Sequence, residues 1–92
     1  NMIINKQDAF KLINKNNNSI FNVRFVKKDG TERSMNARLN VKKHLKGGSM
    51  TYDPTKNGFI IAFDMNAKGY RTINTHTLTN LNLNGNKYTV QG

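Results

Sequence analysis

The side chains best suited to chemistry in this chain are cations set close together. Between positions 24 and 46 lie Arg24, Lys27, Lys28, Arg33, Arg38, Lys42, Lys43 and Lys46, against only two acids, Asp29 and Glu32. Eight against two is +6 of the chain's formal +10, concentrated in a quarter of its 92 residues. Such a block attracts polyanions, and phosphate contacts supply most of the sequence-independent affinity for nucleic acid. The cations alternate with apolar residues, so they are expected on folded structure rather than in a loose basic tail. Asn36 and Asn40 would add hydrogen bonds to phosphate or bases. Farther along, Tyr70 beside Arg71 offers a ring next to a guanidinium, a common platform for an unstacked base.

Catalytic chemistry has weaker support. His44 and His76 are the ordinary general-base candidates near neutral pH, and no motif sets a nucleophile beside either. His44 sits among lysines and His76 between two threonines, so both read as solvated turn residues. The acids at 8, 29, 32, 53 and 64 form no recognisable metal cluster. Asp8, Asp29 and Asp53 read as cap or turn residues, and a divalent-metal pair of Asp53 with Asp64 is the lesser reading. No phosphate loop or dinucleotide fingerprint occurs. No catalytic, cofactor-binding or metal-ligating residue is therefore expected.

The composition fits one domain over 1–92 with a single small core. The absence of cysteine removes disulfides, thiolate metal sites and cysteine nucleophiles. No segment has the apolar length of a membrane span, and the start lacks a secretory signal pattern. Asn1 reads as a tag remnant and Met2 as the natural start, which leads to an expectation of a soluble cytoplasmic protein. The sixteen asparagines accompany plentiful Lys and Ile, and read as base-composition bias, with Asn14 to Asn18 as a polar break.

The elements that must position these residues follow from periodicity. Asn5 caps a helix over 5–15, with Asp8 in the short capping box and Ala9, Phe10, Leu12 and Ile13 as its apolar stripe. From Ile20 to Lys28 the period becomes two, and Asp29-Gly30 predicts a tight hairpin with positive φ at both turn positions. The return strand, Thr31 to Arg38, puts Thr31, Arg33, Met35 and Ala37 on one face. Leu39 to Gly48 predicts a short helical turn, with Val41 and Leu45 inward, Lys42, Lys43 and Lys46 outward, and Gly47-Gly48 as its stop. Phe59 to Asp64 predicts a strand covered on both faces and Tyr70 to Asn74 its partner. One or two short strands follow, around a turn at Asn84-Gly85-Asn86. A helix and about five closely spaced strands make the expected fold mainly β, a small barrel.

Three stretches also resemble a known family: Phe25 to Gly30 with Met35 to Arg38; Val41 to Gly48 with Tyr52-Asp53-Pro54; and Asp64-Met65 with Gly69 to Asn74. Together they are similar to small, mostly phage-encoded proteins of Sm-like, SH3-type β-barrel fold related to WYL domains. That likeness covers Phe25 to about Tyr88 and leaves the amino-terminal helix outside. It implies the barrel, a phage or prophage origin and a bacterial host cytoplasm, and it implies nucleic-acid or nucleotide ligands only by fold analogy. The chain has no Trp-Tyr-Leu run, so the ligand residues of WYL domains cannot be placed on it.

The resulting expectation is a small, basic, non-enzymatic nucleic-acid-binding protein, monomeric or a small homo-oligomer. It would grip DNA or RNA through Lys27, Lys28, Arg33, Arg38, Lys42, Lys43 and Lys46, with Tyr70 and Arg71 reading bases. The alternative is an inhibitor or adaptor that docks on an acidic surface of a host protein, its charge speeding association.

Overall fold

The computed structural model describes residues 2–16, 19–39 and 58–92. The expected helical turn of Leu39 to Gly48, with Lys42, Lys43, His44 and Lys46, and the Tyr52-Asp53-Pro54 stretch fall at 40–57, outside the described residues, save Leu39.

The described residues form a helix, α1 (Lys6–Lys15), and seven strands: β1 (Met2–Asn5), β2 (Phe21–Val26), β3 (Glu32–Arg38), β4 (Phe59–Asp64), β5 (Gly69–Asn74), β6 (Leu78–Leu83) and β7 (Asn86–Gln91). They form one sheet in the order β1-β7-β6-β2-β3-β4-β5. All neighbouring pairs are antiparallel except β1 with β7. Seven strands replace the five or so expected. The sheet curls far enough for β5 to approach β2, but β1 and β5 remain its two ends and the barrel is open.

α1 starts where the sequence indicates. The Asn5 side chain accepts a hydrogen bond from the Asp8 amide at 2.7 Å, satisfying one of the amides that a first helical turn leaves unpaired. Its stripe delivers Ala9 and Ile13 to the core, with Phe10 and Leu12 packed at the margin. Beneath the helix lie Phe21, Val23, Phe25, Met35, Ala37, Ile60, Ala62, Ile73, Leu78, Leu81, Leu83 and Val90. These residues alternate along their strands, so one face of the sheet is apolar. The other is largely polar over β2, β3, β6 and β7 but carries Phe59, Ile61, Phe63 and Tyr70 over β4 and β5, where Phe63 is also buried.

The first hairpin differs from the expected turn. Gly30 alone has positive φ, at 87°. The Gly30 amide donates to the Lys27 carbonyl at 3.0 Å and the Lys27 amide to Thr31 at 2.8 Å, the pattern of a type I turn closed by a glycine bulge. Asp29 keeps an ordinary backbone because its carboxylate accepts from both the Thr31 amide and hydroxyl. Those two bonds, the hydroxyl's first, hold its pKa below the usual value. The two-positive-φ hairpin occurs instead between β6 and β7, at Asn84 (52°) and Gly85 (80°).

β1 has no counterpart in the expected elements. It is four residues long, with Met2 and Ile3 exposed, and is held by parallel pairing of Met2 to Asn5 with Tyr88 to Gln91. Nothing local in Met-Ile-Ile-Asn distinguishes a strand from an irregular lead into the helix.

Candidate nucleic-acid interface

Parity along β3 separates the cations. Odd positions, Arg33, Met35 and Ala37, turn to the helix-covered face, and even positions, Ser34, Asn36 and Arg38, to the outer face. Arg33 and Arg38 are five residues apart, roughly 16 Å along the strand, and on opposite sides. Lys27 and Lys28 are exposed at the hairpin tip, beyond the Arg33 end of β3. The described members of the expected cluster therefore do not converge on one surface.

Arg33 is also neutralised. Its guanidinium donates to Asp64 at 2.8 Å, and the two side chains are 32% and 4% exposed. The second Asp64 oxygen accepts from the amides of Asn66 and Ala67 at 2.9 and 3.1 Å, shaping the β4–β5 turn. Burial pushes the Asp64 carboxyl up, but the Ala67 amide, the Arg33 guanidinium and the Asn66 amide outweigh it and hold the pKa below the usual range. This carboxylate belongs to the fold: β3 and β4 share only the register pairs Ala37–Asp64 and Arg38–Phe63, and the ion pair braces that seam. Arg38 stands across from Phe63, half-buried, and its Nε is buried with no partner among the described residues.

Tyr70 and Arg71 do not form a stacking platform. As neighbours on β5 they project to opposite faces. The Tyr70 ring meets Phe63 edge-on at 5.5 Å, and burial raises the pKa of its hydroxyl. Arg71 is exposed and folds back to donate to the Tyr70 carbonyl at 2.8 Å. His76, in a 3-10 turn at Thr75–Thr77, is exposed and lies edge-on to Phe59 at 6.2 Å. Among the described residues no group of three or more His, Cys, Asp or Glu could hold a metal, and no helix is long and apolar enough to cross a membrane.

The outer face carries what the composition concealed. Four carboxamides form a ladder across it: Asn82 donates to Asn22 at 3.3 Å, Asn22 to Asn36 at 3.0 Å and Asn36 to Asn66 at 3.4 Å. Asn22 also reaches the Met35 carbonyl at 3.3 Å. Next to the ladder is an open hollow of about 310 Å³ bordered by Asn22, Arg24, Asn80, Asn82, Lys87 and Tyr88. Arg24 and Lys87 are exposed, and neither has an ion-pair partner among the described residues. Of these residues, Arg24 stood within the basic block and the rest were passed over. The usable signal was asparagine at alternate strand positions, Asn22, Asn36, Asn80 and Asn82, which has meaning only once the strands are in register.

A curled, mainly β sheet with a helix packed over one face makes a small open barrel. The chain belongs to the WYL_2 family, of Sm-like SH3 beta-barrel fold, whose model matches residues 9–79. The match reaches back into α1, farther than the resemblance quoted from motifs, and stops within β6, so β1 and β7 lie beyond it. No curated protein and no solved structure matches the chain.

Proposed function

We infer that this is a non-enzymatic nucleic-acid-binding module, of phage type and acting in regulation within a bacterial cytoplasm. One observation carries the reading: the formal charge is +10, and Arg24, Lys27, Lys28 and Lys87 are exposed with no ion-pair partner among the described residues. An uncompensated field of this kind favours polyanions and accelerates their capture. Lys27 and Lys28 hold phosphates at the hairpin tip; Lys42, Lys43 and Lys46, outside the described residues, stay in the binding set on their charge alone. Arg33 is withdrawn from the binding set because Asp64 already occupies it.

A salt-titrated binding panel of single- and double-stranded DNA and RNA tests this. With roughly four phosphates engaged, log affinity falls with log salt at a slope of about −3 to −4. Reversing Lys27 and Lys28 to Glu lowers affinity for all sequences together and flattens the slope. Binding that is insensitive to salt, or no binding beside capture of one acidic host protein, would overturn the reading in favour of a protein-docking module.

A further inference from the structure

Register places six side chains of the outer face in two rows over three adjacent strands. Asn22 of β2, Asn82 of β6 and Lys87 of β7 form one row; Arg24, Asn80 and Thr89 form the next. Standard strand spacing makes this patch roughly 10 Å by 7 Å, the footprint of one nucleotide. The hollow of about 310 Å³ lies over it, at the small end of ligand-site volumes. The two cations occupy diagonal corners and the amides the centre.

The amides differ in their freedom. Asn22 is fixed by the ladder, and Asn82 is tethered through its nitrogen, which leaves its oxygen unengaged among the described residues. Asn80 has no side-chain hydrogen bond there at all. A carboxamide carries a donor and an acceptor side by side, the pattern that matches N6 and N7 of adenine. Among the described residues that border the hollow there is no acid.

We propose that this hollow seats one base of a single-stranded nucleic acid, adenine in preference, with Asn80 and Asn82 addressing its edge and Arg24 and Lys87 holding the flanking phosphates. The site rests on the nucleic-acid reading above and adds a base-selective element to it. The base is addressed through hydrogen bonds at its edge rather than by stacking, because Tyr88, the one aromatic bordering the hollow, points toward the core side in its strand. Edge bonding discriminates among bases, whereas stacking on rings tolerates all of them.

Fluorescence anisotropy with labelled single-stranded decamers of dA, dT and dC at fixed moderate salt tests the proposal. Wild type should prefer the dA decamer. Asn80→Asp, nearly the same shape with the donor removed and a negative charge added, should weaken it about tenfold and abolish the preference. Asn80→Ala should abolish the preference with a smaller loss, and Lys87→Ala should weaken all three decamers alike. Circular dichroism melts confirm that each variant is folded. If the Asn80 variants keep wild-type affinity and ranking while Lys27→Glu/Lys28→Glu still weakens binding, this site is wrong and the broader function stands. If wild type binds no decamer or duplex at low salt, both fall. Displacement of the dA decamer by poly-glutamate as readily as by unlabelled dA overturns the base-reading site in favour of a carboxylate ligand.

Discussion

Arg33 and Arg24 lie on paired strands of one hairpin, yet they live in different chemical worlds. Arg33 turns to the face that the helix covers, where Asp64 meets it at 2.8 Å and two turn amides complete the cluster. Arg24 turns to the outer face, exposed, opposite Asn80 and without an ion-pair partner among the described residues. The inner face buries one ion pair, at its narrowest seam, within mainly apolar packing. The outer face keeps Arg24 and Lys87 without ion-pair partners among the described residues and ties Asn22, Asn36, Asn66 and Asn82 to one another. In a sheet, a count of basic residues says little about binding until the parity of each is known.

The inner face should break hardest. Phe21 is 2% exposed at the centre of the core, and Phe21→Ala should cost about 3–5 kcal/mol in chemical denaturation. Next comes the seam: Asp64→Ala removes the Arg33 partner and the acceptor of two amides, and should cost about 2–4 kcal/mol. Because the folded Asp64 pKa lies below its unfolded value, its stabilisation is complete above the ordinary 3.8 and is lost as pH falls through the depressed folded value. Wild type should thus lose stability on acidification in that window, and Asp64→Ala should lose less of it. A pH series of urea midpoints reads both.

The outer face should respond least in stability. Asn22→Ala interrupts the ladder at its most connected member and should cost about 1 kcal/mol. Lys87→Ala should change stability by less than about 0.5 kcal/mol. If Lys87→Ala instead lowered the melting temperature as much as Asp64→Ala, the contrast between the faces would be false.

Much of the frame was legible from local pattern. The Asn5 cap, the α1 stripe, the alternation along β2 and β3, and the span of β4 follow from spacing that local sterics and burial impose. The first turn was misjudged because Asp-Gly suits two turn geometries, and the Asp29–Thr31 bonds select between them. β1 was illegible since its partner lies at the far end of the sequence. The candidate site suffered in the same way. Arg33 looked like its neighbours until Asp64, distant in sequence, appeared beside it, and the asparagines looked like composition until register aligned them.

The parallel pairing of β1 with β7 has a consequence for how the chain acquires its shape during synthesis. Met2 pairs with Tyr88, and Asn5 with Gln91, so β1 cannot find its place until β7 has been made. Contacts spanning nearly the whole sequence slow the search. Until β7 is made, the backbone of β1 travels as an unpaired strand edge, the point at which a nascent copy is most open to chaperones or to another copy of itself.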